Sequence, residues 1–234
     1  MPRPQQDPPA SPETRWQGLE LLGRGYSRRC VVDPRDPGRC LKFELADPGK
    51  RPPGPLRRLR LALARRWPRF GDNARELRAW RWLQRRLGPE AAQARFAPVE
   101  GLVDTPWGPA LRCRLVRLPD GRPAPNLHAF LAGRSDWQVE DLCAAVEDFA
   151  AFLRRERLPL FDLNPGNFVV VPGDGGHPRL VCVDAKSVLA SKEVVPLSRH
   201  VPSLRERKIT RRAARLCRRL REAAPTLAPA ATGH

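Results

Sequence analysis

Apolar positions along this chain repeat at two different periods, and the period changes part-way through. In the first fifty residues the repeat is two. Leu19, Leu21 and Leu22, then Cys30, Val31 and Val32, read as two strands around the turn Gly23-Arg24-Gly25-Tyr26-Ser27. The run Asp33-Pro34-Arg35-Asp36-Pro37-Gly38 is a hairpin loop. A return strand at 39–44 follows, with Leu41 and Phe43 on one face and Cys40 and Lys42 on the other. Prolines at 48, 52, 53 and 55 interrupt regular structure at the start of 47–71. Leu56, Leu59, Leu63, Trp67 and Phe70 then recur every three or four residues among arginines, the pattern of a basic amphipathic helix. A second helix is expected over 72–87, with Leu77, Trp80, Leu83 and Leu87 apolar and Asp72 or Asn73 as its cap.

Strands return over 96–118, broken by a turn at 105–108, and Pro119-Asp120-Gly121 closes this half. The rest is helical in period. A helix begins at 127–131, and a longer one over 139–157 carries Leu142, Val146, Phe149, Ala150 and Leu153 on one stripe. A last helix over 203–221 has Leu204, Ile209, Leu216 and Leu220 apolar. The expected architecture is α+β: a strand-rich lobe over 16–118 with a basic insertion at 47–71, and a helical lobe over 119–224. Pro-rich, polar tails are expected at 1–15 and 225–234.

Between the two long helices of the second half lies the stretch that carries chemistry. Asp162-Leu163-Asn164-Pro165-Gly166-Asn167 leads into Phe168-Val169-Val170-Val171, and Leu180-Val181-Cys182-Val183-Asp184 returns. A hairpin folds back on itself, so Asp162, Asn167 and Asp184 are brought towards one small volume. One carboxylate can take a proton; an amide and a second carboxylate are hard oxygen ligands of the kind Mg²⁺ accepts. Asn-Pro-Gly-Asn is also an ordinary turn, so the rest of the chain has to supply the context. In order it offers the turn at Gly23 and Gly25, a strand lysine at Lys42, and Glu76 in the first turns of a helix. Closely spaced glycines let a backbone approach a phosphate. A lysine between apolar neighbours is either a phosphate ligand or a solvent-facing strand residue.

Composition adds a charge asymmetry. The chain has 234 residues, 41% of them hydrophobic, and a net charge of +18. Segments 50–71 and 199–221 together hold 17 of those 18 charges, so the body between them is near neutral. Such segments attract nucleic acid, anionic lipid or acidic protein, although a drift towards arginine on a solvated surface gives the same pattern. Cys30, Cys40, Cys113, Cys143, Cys182 and Cys217 form no Cys-x-x-Cys pair, which argues against zinc and a disulfide framework and for free thiols in a reducing cytoplasm. No apolar run reaches membrane-span length, and residues 1–15 lack the apolar stretch of a signal peptide.

Taken in order, Gly23 and Gly25, Lys42, Glu76, Asp162, Asn167 and Asp184 resemble the protein-kinase-like fold. The likeness is nearest to the YrbL family, bacterial kinase-like proteins associated with the PhoP regulatory network. Residues 162–167 are similar to its catalytic loop and Val183-Asp184 to its metal-binding strand end. Val195-Pro196-Leu197-Ser198-Arg199 with Arg207-Lys208-Ile209-Thr210-Arg211-Arg212 is similar to its C-terminal signature. The resemblance spans about 18–221 and implies an ATP- and Mg²⁺-dependent phosphotransferase. Gly23 and Gly25 would cover the phosphates, and Lys42, held by Glu76, would contact them. Cys40 would face the adenine, and residues 115–118 would bind the base edge. Asp162 would orient or deprotonate an acceptor, and Asn167 and Asp184 would hold metal.

Four departures accompany the likeness. Arg28 stands where a third glycine is usual, and Leu160-Phe161 stand in place of His-Arg. Asp184-Ala185-Lys186 lacks the expected glycine, and no Ala-Pro-Glu motif follows. They argue against a regulated protein kinase. They leave a small-molecule or atypical kinase, a nucleotide-binding pseudokinase, or a basic module for nucleic acid or acidic partners.

Overall fold

The computed structural model describes residues 16–25, 27–45, 71–133, 137–189 and 201–224. The expected tails at 1–15 and 225–234, the basic helix within 47–70 and the segment 194–199 lie outside the described residues. The architecture is α+β. Strands β1 (Leu21–Arg24), β2 (Arg28–Val32), β3 (Arg39–Glu44), β4 (Val99–Thr105) and β5 (Gly108–Arg114) form one antiparallel sheet in the order β1-β2-β3-β5-β4. Helices α1 (Asp72–Leu87) and α2 (Pro89–Arg95) sit between β3 and β4 in the chain. Helices α3 (Leu127–Leu131) and α4 (Val139–Arg155) come next. The hairpin of β6 (Phe168–Pro172) and β7 (Pro178–Cys182) and the terminal helix α5 (Pro202–Ala223) complete the fold.

Strand β3 is central and buried on both faces, and its alternation decides where Lys42 points. Leu41 and Phe43 join Val31 and Ala110 on one face, where Trp16 meets Phe43 edge-on at 4.6 Å. Cys40 and Lys42 turn to the other face, towards the helices. Lys42 is therefore buried and not a solvent-facing strand lysine. Helix α1 starts against the end of the same strand. Its cap is Gly71, not Asp72 or Asn73, because Glu44 Oε1 accepts the Asn73 N–H at 2.6 Å and supplies the oxygen a cap side chain would give. A Cβ on Gly71 would lie 2.5 Å from that carboxylate, so a larger residue there would push Glu44 off the Asn73 N–H. Asn73 in turn donates its amide to Lys42 O at 2.8 Å. These two bonds fix the first turn of α1 on β3, and Glu76, one turn further along, faces Lys42.

One apolar core runs through both halves, from Leu83 and Leu111 to Leu142, Leu153, Leu160 and Leu220. Helix α4 stops two residues short of its expected end, where Arg157 takes φ 56° and the Leu158 N–H closes onto Leu153 O. Strand β5 ends at Arg114 and not at Leu118, because residues 115–118 leave the sheet to pair with 122–124. On α5, Ile209, Ala213, Leu216 and Leu220 are buried as their spacing requires. Leu204, expected on that stripe, is exposed; Arg205, four residues before Ile209, takes the buried place. The outer face of α5 exposes Arg207, Arg211, Arg212, Arg215, Arg218 and Arg219. No helix among the described residues is long and apolar enough to cross a membrane.

Phe149 on α4 meets Phe168 of β6 at 5.0 Å and Phe96, just beyond α2, at 5.9 Å, both edge-on, and so joins three elements. Phe149→Ala should lower the unfolding free energy by about 3–5 kcal/mol, read as a lower urea midpoint. A loss below about 1 kcal/mol would remove Phe149 from the core's centre.

Candidate functional site

The site is built around Glu76. It is almost fully buried, and its carboxylate accepts from Lys42 Nζ at 2.6 Å and from Arg28 at the start of β2. Lys42 also donates to Val183 O, and the Arg28 guanidinium reaches on to Asp184 Oδ2 at 2.5 Å. Arg28 thus bridges two acids from different halves of the chain. Lys186, in the short 3-10 turn after Asp184, places Nζ 3.1 Å from the same Oδ2 and 3.3 Å from Asp72. Asp72 also takes Arg75 at 3.0 Å and the Ser27 hydroxyl at 3.0 Å.

From this cluster a chain of hydrogen bonds runs to the loop at Asp162. The Val183 N–H donates to Asn167 O at 2.8 Å, continuing the pairing of Phe168 with Cys182. The Asn167 side-chain amide donates to Asp162 O at 3.0 Å. Asn164 caps the single 3-10 turn Pro165–Asn167, which swings the backbone from the loop into β6. Lys42, Glu76 and Asp184 thus share one ion cluster, and the backbone of Asp162 is joined to it through Asn167 and Val183. Phe161, beside Asp162, lies under Lys208 Nζ at 4.0 Å from the ring centre, which ties the loop to α5.

Gly23 lies within β1, beside a register shift opposite β2, and a Cβ there would meet nothing within 4 Å. Gly25 closes the turn by donating its N–H to Arg28 O at 2.8 Å. Cys40 pairs with Cys113 across β3 and β5, and Cys30 stands opposite Lys42, so three thiols line this face of the sheet beside the lysine. All six cysteines are free. The base-edge segment is partly spent within the chain. Leu115 N–H donates to Gly38 O, Leu118 N–H to Arg122 O, and Val116 O accepts from Ala124, each at 2.9 Å.

Burial alone would raise the Asp184 pKa, but Arg28, then Lys186 and Lys42, outweigh it and hold the carboxyl well below the usual range. Burial likewise works against the charge on Arg28, and Asp184 and Glu76 more than restore it. The acids Asp72, Glu76 and Asp184 are matched by Arg28, Lys42 and Lys186, with Arg75 at the edge.

Sequence reasoning missed Arg28, Lys186, Asp72 and Ser27 as members of this cluster. For two of them a signal existed: Arg28 and Lys186 occupy the positions where glycines are expected. Against this cluster Mg²⁺ does not fit. Asp184 Oδ2 is taken by Arg28 and Lys186, Oδ1 accepts the Lys186 N–H at 3.3 Å, and a divalent cation would enter among three resident cations. Among the described residues no group of three or more His, Cys, Asp or Glu is placed to hold a metal ion.

No protein-family model matches this chain, and no curated protein does. The reading of the site therefore rests on its geometry and on the resemblance of its motifs. Two surface hollows, one between Arg154 and α5 and one around Arg95, Asp148 and His177, lie away from the cluster and lack its buried charges.

Because the Asp184 pKa is lowered on folding, its stabilisation is present above the unfolded carboxyl value, about 3.9, and is lost as pH falls through the lower folded value. The stability difference between the native chain and Asp184→Asn should stay constant from pH 7 to pH 5 and shrink only below about pH 4. Urea titrations across this range check it, and shrinkage already between pH 7 and 5 would contradict it.

Proposed function

We propose that this chain is a kinase-like protein, similar to the YrbL family, that binds a nucleoside triphosphate in the cleft between its sheet and its helical half. The observation that carries this reading is the buried Lys42–Glu76 pair at 2.6 Å, on a strand two elements after the glycine turn and next to the Asp162 loop. Lys42 uses two of its three N–H donors, on Glu76 and on Val183 O. The third is available to a phosphate oxygen. The open space in front of Gly23 lets the phosphates approach the backbone, and Cys30 and Cys40 face the base. Asp162 is half-buried and accepts the hydrogen bond of an acceptor hydroxyl, which orients it for phosphoryl transfer. The exposed arginines of α5 serve an acidic protein or nucleic-acid partner.

A second reading, a protein that binds nucleotide and transfers nothing, is favoured by one observation: Asp184 is held by Arg28 and Lys186. The two readings separate when nucleotide affinity and turnover are measured together. Lys42→Met keeps the apolar stem and should weaken ATP binding at least about tenfold. Asp162→Asn should leave ATP affinity near the native value and lower turnover by about 10²–10⁴-fold. Unchanged affinity in Lys42→Met would remove the lysine from the site. ATP binding without turnover across a broad acceptor panel would establish the second reading.

A further inference from the structure

We propose that Arg28 and Lys186 take the place of a divalent cation at Asp184, so that this site binds a nucleoside triphosphate free of metal. The inference rests on the nucleotide-binding reading above and deepens it by naming the ligand's form.

Three observations carry it. First, Arg28 lies between Glu76 and Asp184, with about a tenth of its side chain exposed, and donates to both. Lys186 reaches the same Asp184 oxygen from the opposite direction along the chain, at 3.1 Å. Two unit charges fixed by the fold supply what a bound dication would supply. Second, the other oxygen of the same carboxylate is also engaged, since Asp184 Oδ1 accepts the Lys186 backbone N–H at 3.3 Å. Third, the donors are not exhausted. The guanidinium gives its two acids two of five N–H groups, and Lys42 and Lys186 each give two of three. A polyanion entering here meets three cations with donors left over, held on rigid elements and already paid for in desolvation by their acids. A dication entering the same place meets those three cations and a carboxylate already paired twice.

The planar fork of Arg28 suits this role better than a lysine, because it holds two carboxylates and still presents an edge to phosphate. No bond is made or broken in this step; it is recognition alone.

The test uses the full chain, titrated calorimetrically with ATP in EDTA and again in Mg²⁺, and separately with Mn²⁺ alone. The native protein should bind ATP in EDTA with an affinity within about threefold of that in Mg²⁺, and should show no Mn²⁺ binding. Arg28→Gly should lose at least about tenfold in ATP affinity in EDTA, recover part of it in Mg²⁺, and acquire Mn²⁺ binding. Arg28→Lys keeps a charge between the two acids and serves where the glycine variant does not fold; it should lose affinity in EDTA in the same direction. A native protein whose ATP affinity rises tenfold or more on adding Mg²⁺, or which binds Mn²⁺ by itself, would overturn the proposal. If native protein binds ATP in neither buffer, the nucleotide reading is what fails. The Mn²⁺ arm then still decides whether Arg28 and Lys186 hold the cation's seat.

Discussion

A carboxylate drawn out of water without a partner costs several kcal/mol, and Glu76, buried, and Asp184, largely buried, are two such groups on elements far apart in sequence. Neither is tolerable alone. Glu76 needs Lys42 and Arg28; Asp184 needs Arg28 and Lys186. Since Arg28 belongs to both acids, the start of β2, the first turns of α1 and the end of the β6–β7 hairpin are held to one geometry. Removing one charge leaves the others unpaired, so the cluster acts as a unit whose members are not additive. Below it the apolar core runs unbroken through both halves. Core packing brings the halves together, and the ion cluster sets the register in which β2, α1 and the β6–β7 hairpin meet.

The same constraint accounts for the smaller fittings around the site. Lys42 is directed inward by strand alternation, and its carbonyl anchors Asn73 of α1. Glu44 finishes the capping of that helix, and Gly71 leaves room for it. Glu76 then needs no further adjustment to meet Lys42. On the other side, the Val183 N–H and Asn167 side chain pass the alignment to Asp162 through two hydrogen bonds. The fold therefore prearranges its polar groups before any ligand arrives, which is what a recognition or transfer site requires.

Much of this was legible in the residues. Period-two and period-3.6 patterns located the strands around Leu41 and Phe43 and the helices expected at 72–87 and 139–157, the second ending at Arg155, since burial of one face leaves a direct imprint on sequence. The resemblance singled out Lys42, Glu76 and Asp184 by their order along the chain, and the fold places these three in one ion cluster. Element ends were less so. The Glu44 cap on α1 depends on a residue 29 positions away from the N–H it serves, and no local pattern reports that. Leu204 looked like part of an apolar stripe, but helix phase set from Ile209 buries Arg205 in its place. Least legible was the meaning of the missing glycines. Arg28 and Lys186 read as two unrelated losses, 158 positions apart, and only the fold shows both reaching one carboxylate.

The central claim is that Arg28 and Asp184 are energetically coupled between β2 and the end of the β6–β7 hairpin. A double-mutant cycle with Arg28→Gln, Asp184→Asn and the double variant, by urea unfolding without nucleotide or metal, measures it directly. The account predicts a coupling free energy of at least about 1.5 kcal/mol, with the double variant less destabilised than the sum of the singles. Additivity within about 0.5 kcal/mol would contradict it, and Arg28 would then be a neighbour of Asp184 and not its partner.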